Sequence, residues 1–221
     1  MHTARRDSAA GPFVERGCVI RLYTGARSGN SHKIALFLSI LRVPHETVEV
    51  PYGPELRTPE FLAKNPRGQV PVLEADGKCI WDSMAILVYL ARAHGGEKWL
   101  PTDPAGMAEV MQWLALAENE LLFGIAQARI MLRYRGPEDE LVFLDMKRAR
   151  YLIQRGLTAM ERRLSSHEWL ALDRPTIAEM ACYTYPALNA EAEIDMTPYP
   201  AICAWMDRVR ALPGFIPMIG N

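Results

Sequence analysis

The chain has 221 residues, of which 49% are hydrophobic, and its 25 Lys and Arg nearly balance its 26 Asp and Glu. This apolar content is enough for a buried core in one large or two small domains. A net charge of −1 without a basic cluster argues against nucleic acid as a partner.

The first 96 residues divide into a polar tail and an α/β region. Residues 1–17 lack the continuous apolar stretch of a signal peptide and are predicted to be disordered. Over 18–96, short apolar runs alternate with helical patterns, which predicts strands interleaved with helices. Strands are expected at 19–23, 46–50, 70–73 and 78–81, with a turn at Asp76-Gly77, and helices at 32–41, 59–64 and 84–90. This order fits a thioredoxin-like topology.

The second half of the chain has a different pattern. Residues 97–103 are predicted to be a linker, because Pro104 suits the first turn of a new helix. Residues 104–221 then form an all-helical domain, with helices at about 105–132, 138–165, 175–190 and 199–211. Thr176 and Glu179 make a capping box, for which we expect a structural role.

The cysteines give no sign of a metal or disulfide framework. Cys18, Cys79, Cys182 and Cys203 show neither C-x-x-C nor a Cys/His spacing typical of zinc sites. We expect buried thiols in a reducing compartment and no metal. Because no segment reaches the roughly 18 apolar residues of a membrane span, we expect a cytoplasmic protein without a membrane partner.

Two motifs predict a binding site in the first half. In the run Gln69-Val70-Pro71-Val72, the proline offers no N–H to a sheet. We expect a cis Val70–Pro71 bond that turns the Val70 backbone toward a ligand, although an edge-strand proline is the simpler alternative. Asp82 and Ser83 precede a helical pattern, where free N–H groups favour an anion; an ordinary helix cap is the alternative there. Together the motifs predict a site for a small peptide that carries carboxylates.

From Cys18 onward, the chain resembles the cytosolic glutathione transferases. The resemblance rests on the segment Asn65 to Leu73, the pair Asp82-Ser83, and the capping box in an all-helical second half. It implies that Val70, beside the cis Pro71, pairs with the cysteinyl backbone of glutathione. It also implies that Ser83 holds the γ-glutamyl carboxylate, that Asp82 anchors the same end, and that the protein is a homodimer with glutathione as co-substrate.

The first helix start is expected to carry the chemistry. Glutathione must be a thiolate to attack an electrophile, and a free thiol with a pKa of about 8.5 is mostly protonated at neutral pH. The Ser28 hydroxyl, the Asn30 amide and the helix N–H groups can converge on the sulfur. In a bacterial group called Nu-like, a Thr and an Asn two residues later share this role, and Ser28 and Asn30 match that spacing. Gly29 and Ser31 differ from the residues expected there.

Other interpretations of this loop remain open. Ser28, Asn30 or Ser31 can be a helix cap and nothing more. Tyr23 is the rival thiolate donor, with packing as its more ordinary role. We expect His32 to be a solvated side chain rather than a base.

For the glycine carboxylate of glutathione, Arg57 and Gln69 are the candidates, because Arg57 offers a bidentate fork; a solvated surface arginine is the alternative. The loop 28–31 has no cysteine, which argues against exchange through an enzyme thiol.

The electrophile is expected over the first long helix of the second half. Its candidate neighbours cannot be separated from core residues by their spacing: Met107, Met111, Trp113, Leu114, Glu118 and Phe123. Arg129, Arg133 and Arg135 can face the same cleft and favour an acidic substrate, or simply form a solvated face.

The sequence thus predicts a glutathione transferase that acts on a small hydrophobic electrophile. One alternative is a glutathione-dependent disulfide or peroxide reductase. Another is a non-enzymatic glutathione-binding or interaction module of the same fold.

Overall fold

The protein is described from a computed structural model that covers residues 19–133 and 145–218. The predicted tail at 1–17 and the first residues of the helix predicted at 138–165 lie outside these ranges. Within them, no helix combines the length and apolar character needed to cross a membrane.

The first half is a four-stranded mixed sheet with helices, and it confirms the predicted thioredoxin-like topology. Its elements are β1 (Arg21–Thr24), α1 (Gly29–Leu41), β2 (Glu46–Glu49), a 3₁₀ turn (Pro54–Arg57), α2 (Pro59–Lys64), β3 (Val72–Ala75), β4 (Lys78–Trp81) and α3 (Ser83–Leu90). The strand order is β2-β1-β3-β4. β1 runs parallel to β2 and antiparallel to β3, and β3 pairs antiparallel with β4.

Several boundaries differ from the prediction, and two of the differences adjoin the predicted motifs. The strand expected at 70–73 begins at Val72, because Pro71 has no N–H to enter the ladder. The helix expected at 32–41 begins at Gly29, with Ser28 as its N-cap. The turn at Asp76 and Gly77 is confirmed, with both residues in the left-handed region (φ 50° and 71°).

The second half is helical, as predicted. Short turns at Ala91–Gly95 and Gly96–Lys98 lead to α4 (Pro104–Leu116), a π-helical segment (Ala117–Ala126), α5 (Gln127–Arg133), α6 (Met146–Leu164), α7 (Ile177–Ala187), a 3₁₀ turn (Asn189–Ala192) and α8 (Pro200–Arg210). The helix predicted at 105–132 therefore contains ten residues with π-helical geometry. That segment packs closely on α6, since a Cβ on Gly124 would lie 2.9 Å from the Ile153 nitrogen.

One apolar core joins the two halves. The central helix α7 packs against α1, α3 and α4, and its buried start is held by the predicted capping box. The Thr176 hydroxyl accepts from the Ala178 N–H at 3.1 Å, while Glu179 accepts from the Thr176 N–H at 2.6 Å. Glu179 also accepts from the Leu170 N–H at 2.8 Å, so the box ties the incoming loop to the helix.

Candidate functional site

The strand register brings the predicted motifs to one end of the sheet. Tyr23 near the end of β1 pairs with Val72 at the start of β3, and Val72 pairs with Trp81 at the end of β4. The loop that follows β1, the residues before β3 and the residues after β4 therefore meet at one edge. Ser28, Val70 and Asp82 lie on these three segments.

The predicted cis bond between Val70 and Pro71 is present. The preceding loop is held by its own polar groups, since Asn65 Nδ2 donates to the Gln69 carbonyl at 2.6 Å. Gly25, in the loop after β1, lies against this segment: a Cβ there would be 3.1 Å from Val70 Cγ2. The loop after β1 and the cis-proline segment before β3 therefore lie against each other.

Arg57 lies beside the same loop rather than alone on the surface. Its Nη1 donates to the Gly68 carbonyl at 2.8 Å and to the Arg67 carbonyl at 3.4 Å. Gly68 is required for this approach, because it has φ 60° and a Cβ there would overlap Arg57 Nη1. The half-buried Gln69 follows in the chain, so both candidates for the glycine carboxylate adjoin the cis-proline loop.

Asp82 and Ser83 form the start of α3. Asp82 is the N-cap, with Oδ1 accepting from the Met84 N–H at 3.0 Å and Oδ2 accepting from Arg67 Nη1 at 3.1 Å. Asp82 is therefore a helix cap, as the alternative interpretation expected. Ser83 is buried, and its Oγ has no hydrogen-bond partner among the described residues. An unpartnered buried hydroxyl is a group that a ligand can satisfy.

Ser28 is both the cap of α1 and a possible donor. Its Oγ accepts from the Ser31 N–H at 3.1 Å, which excludes Ser31 as the cap. The hydroxyl still has its own hydrogen to donate, and no described residue accepts it. Capping and donation to a ligand are therefore compatible at Ser28.

Asn30 lies in the first turn of α1 and is held by the helical half. Tyr185 on α7 is buried, and its hydroxyl donates to Asn30 Oδ1 at 3.0 Å. Among described residues, none pairs with Asn30 Nδ2. Sequence reasoning missed this contact, because Tyr185 has the spacing of a core residue.

The hydroxyl of Tyr23 and both ring nitrogens of His32 are hydrogen-bonded to other residues of the protein. The Tyr23 hydroxyl donates to Glu74 Oε2 at 2.7 Å, consistent with a packing role. The expectation that His32 is solvated is wrong, because it is only 7% exposed. Its Nε2 donates to the Ile216 carbonyl at 3.1 Å and its Nδ1 accepts from the Thr184 hydroxyl at 3.0 Å. Burial lowers the pKa of His32.

A buried charge pair, which sequence reasoning missed, links the two halves beside this site. Lys33 on α1 is fully buried, and its Nζ lies 3.8 Å from Glu118 Oε1 in the π-helical segment. Neither atom has a hydrogen-bond partner among the described residues. Burial lowers the pKa of Lys33 and raises that of Glu118, and the carboxyl of Asp82 acts on both pKa values in the upward direction.

The residues considered for an electrophile pocket have different environments. Leu114 is core, Met111 is 43% exposed, and Met107, Trp113 and Phe123 are half-buried. Arg129 is buried rather than solvated; it pairs with Glu191 and donates to the Arg27 carbonyl at 3.0 Å, just before Ser28. Arg133 donates to the carbonyls of Ala190 and Glu191, and Arg135 lies outside the described residues.

The described cysteines are free thiols at Cys79, Cys182 and Cys203. Cys182 is buried on α7, where desolvation raises its pKa well above the ordinary value. A thiol held protonated in this way is a poor nucleophile. Across 19–133 and 145–218, no cluster of His, Cys, Asp and Glu has the grouping of a metal site.

Comparison with known proteins agrees with the fold. Residues 18–92 match the glutathione S-transferase N-terminal domain, and residues 145–213 match the C-terminal domain. The disulfide-bond oxidoreductase YfcG of Escherichia coli K12 is 28% identical over 197 residues, covering 85% of this chain and 89% of YfcG. The maleylacetoacetate isomerase of Pseudomonas aeruginosa is 29% identical over 203 residues, covering 89% of this chain and 93% of the isomerase.

Among solved structures, a glutathione S-transferase from Pseudomonas fluorescens Pf-5 has a TM-score of 0.83 and 36% identity, covering 91% of this chain and 100% of the other. A thioredoxin-like sheet joined to a helical bundle defines the class of fold. Together with the family matches, it shows that the chain belongs to the glutathione S-transferase family and is an enzyme of that family.

Proposed function

We propose that the protein joins the thiolate of glutathione to a small hydrophobic electrophile. The observation that carries this proposal is the register Tyr23–Val72–Trp81. This register gathers a helix start with free donors, the cis-proline loop and the Asp82-Ser83 cap at one sheet edge. A small peptide with a carboxylate at each end and a thiol between them matches these three segments.

In the proposed complex, the Val70 backbone beside Pro71 pairs with the cysteinyl residue. Ser83 binds the γ-glutamyl carboxylate, where its buried hydroxyl lacks another partner in the described chain, and Asp82 anchors the same end. At the other end, Arg57 and Gln69 hold the glycine carboxylate. A charge-assisted hydrogen bond from Arg57 is stronger than a neutral one.

The proposed chemistry is thiolate stabilisation followed by nucleophilic attack. Ser28 and Asn30 donate to the sulfur, which lowers the thiol pKa, and the thiol proton leaves to solvent. The sulfur electron pair then forms a bond to the electrophilic carbon. A leaving group departs with its bonding pair, or, for an activated alkene, the adjacent carbon takes up a proton.

A second candidate is glutathione-dependent disulfide reduction, favoured by the similarity to YfcG, which is named as a disulfide-bond oxidoreductase. One glutathione thiolate would attack a glutathione mixed disulfide, releasing the substrate thiol and forming oxidised glutathione. Reduction of a peroxide by two glutathione molecules is the related alternative. In either reaction the reactive sulfur is glutathione's own, because the loop 28–31 contains no cysteine.

Three further features belong to the same proposal. The chain divides into a glutathione-binding domain over 18–96, a linker at 97–103 and a helical domain over 104–221, with 1–17 as a tail. The helical domain contributes the apolar side of the electrophile site. The protein works as a cytoplasmic homodimer.

Parallel assays separate these functions. Purified protein and glutathione are incubated separately with a model aryl halide, a glutathione mixed disulfide, a hydroperoxide and an activated cis-alkene. Turnover of the aryl halide, reduced at least tenfold in Ser28→Ala, supports the transferase. Ser39→Ala is the matched control, because Ser39 lies in the last turns of the same helix and donates to the Gly214 carbonyl at 2.7 Å.

Other outcomes assign the protein differently. Turnover of the disulfide or the peroxide alone makes it a reductase, and conversion of the alkene to its trans isomer without a stable glutathione adduct makes it an isomerase. Binding of glutathione without any turnover points to a non-enzymatic module. Absence of glutathione binding at millimolar concentration rejects every glutathione-dependent function.

A further inference from the structure

The amide of Asn30 is oriented by a residue from the opposite half of the protein. Tyr185 on α7 reaches the first turn of α1, and its hydroxyl donates to Asn30 Oδ1 at 3.0 Å. A side-chain amide carries its oxygen and its NH₂ group on the same carbon, directed apart. Fixing the oxygen toward Tyr185 therefore fixes Nδ2 away from it.

The surroundings of Tyr185 keep its hydroxyl protonated and its ring in place. The residue is 3% exposed, and burial raises its pKa far above the ordinary value for tyrosine. The hydroxyl is therefore a donor throughout the physiological range. The Lys33 ammonium lies 4.7 Å from the centre of the ring, a distance typical of a cation–π contact.

Gly29 provides the space that this contact needs. A Cβ at Gly29 would lie 2.6 Å from Tyr185 Cε1, closer than two carbon atoms can approach. A side chain at this position would displace the tyrosine ring from the helix start. The glycine, which differs from the residue expected in the loop, is thus explained by Tyr185.

We propose that Tyr185 is a positioning residue, which orients the Asn30 amide so that Nδ2 donates to the sulfur of glutathione. This inference rests on the proposed function, in which Asn30 contacts the sulfur. Without the Tyr185 hydroxyl, the amide can turn over and present its oxygen to the thiolate. An oxygen facing a thiolate repels it, so a wrongly turned amide costs the enzyme one donor.

Tyr183 provides a matched control on the same helix. It is also buried, but its hydroxyl accepts from Arg210 Nε at 3.2 Å, and its ring packs against Trp205 and Phe215. Tyr183→Phe and Tyr185→Phe each remove one hydroxyl and keep the ring. Only the second removes a contact with Asn30.

The test measures the pKa of enzyme-bound glutathione from the ultraviolet absorbance of its thiolate, together with the pH profile of kcat/KM. Tyr185→Phe should raise the thiol pKa by about 0.5 to 1, which is about three- to tenfold less thiolate at a given pH. Tyr183→Phe should leave it unchanged. In an Asn30→Ala background, Tyr185→Phe should add no further shift, because the two residues act through one donor.

A second variant disrupts the contact between Tyr185 and Asn30 without removing either polar group. Gly29→Ala keeps both hydroxyl and amide but should displace the ring, and it should raise the thiol pKa as Tyr185→Phe does. Thermal melts establish that each variant is folded.

The outcomes distinguish the inference from the proposed function. A shift in Asn30→Ala with none in Tyr185→Phe overturns the inference and leaves the proposed function intact. Equal shifts by Tyr185→Phe in the wild-type and Asn30→Ala backgrounds also overturn it, because they indicate a general structural effect. Absence of a thiolate signal in the wild-type protein overturns the proposed function, and the inference with it.

Discussion

Replacing Lys33 with methionine should destabilise the protein, although the substitution removes a charge from an apolar core. Its Nζ is fully buried, 3.8 Å from Glu118 Oε1. At an effective dielectric constant of about 20, two charges about 4 Å apart attract by about 4 kcal/mol. Desolvation of both ions offsets most of that attraction. The pair therefore stabilises the fold little more than two apolar residues would. Each charge, however, depends on the other for compensation.

The expected cost follows from what remains after the substitution. Removing one partner of a fully buried pair costs about 3 to 5 kcal/mol, because the other charge is left uncompensated. The Glu118 side chain is 28% exposed, so water can partly hydrate the carboxylate that remains. We expect Lys33→Met to lower the free energy of unfolding by about 2 to 3 kcal/mol. In a chain of this size, that corresponds to about 4 to 12 °C in Tm.

The double variant Lys33→Met/Glu118→Leu supplies the decisive comparison. It removes both charges and should lie within about 1 kcal/mol of the wild-type protein. Lys64→Met is the matched control for the single change. Lys64 also has a carboxylate neighbour, Glu74 at 3.6 Å, and an aromatic ring at 4.9 Å, but its side chain is 31% exposed. Its replacement should cost under about 1 kcal/mol.

The assay is urea unfolding at pH 7.5 and fixed protein concentration, with the midpoint compared across wild type, Lys33→Met, Glu118→Leu, their double variant and Lys64→Met. If Lys33→Met lowers the free energy of unfolding no more than Lys64→Met does, Lys33 and Glu118 do not compensate each other's buried charge. The same conclusion follows if the double variant is as unstable as the sum of the two single variants.

Three further predictions concern pH and backbone geometry. Burial lowers the pKa of His32 below its unfolded value. The stabilising contribution of His32 is therefore full above about pH 6.5 and falls as the pH drops below that value. Between pH 7.5 and 5, the Tm of His32→Gln should fall less than the Tm of the wild-type protein. Burial raises the pKa of Glu179 from 4.5 to about 7, so wild type should lose stability relative to Glu179→Gln as the pH rises from 4.5 to 7, and a constant difference in unfolding free energy would refute this. Gly68→Ala should cost more stability, and weaken glutathione binding more, than Gly77→Ala, because both have positive φ but only Gly68 has atoms within 4 Å of the added Cβ; equal Tm losses would contradict the close approach of Arg57.

Local sequence patterns predicted most of the first half. The strand pair β3 and β4 followed from two short apolar runs and the Asp76-Gly77 turn between them, which needs only adjacent residues to form. The cis Val70–Pro71 bond was predicted, and a cap at Asp82 was the alternative considered there, because a proline and a helix start impose their own constraints on the backbone. The predicted start of β3 at residue 70 was wrong, because Pro71 has no N–H and the strand begins at Val72. The same missing N–H was the reason for predicting the cis bond.

The contacts between the two halves were not predictable in the same way. Tyr185 and Asn30 are 155 residues apart, and helical spacing makes Tyr185 indistinguishable from an ordinary core residue. Nothing near Lys33 in the sequence marks it as buried or marks Glu118 as its partner. His32 was misjudged for the same reason, since its partners Thr184 and Ile216 come from the far end of the chain. Burial of such groups depends on tertiary packing, which a one-dimensional pattern does not encode.

A crystal structure of the protein soaked with glutathione is the most direct test of the proposed site. We expect the cysteinyl backbone to pair with Val70, the γ-glutamyl carboxylate to accept from Ser83, and the sulfur to lie within about 3.5 Å of Ser28 Oγ or Asn30 Nδ2. Glutathione bound away from the sheet edge that carries these three segments would contradict the proposal. So would glutathione at that edge with its sulfur turned away from the start of α1.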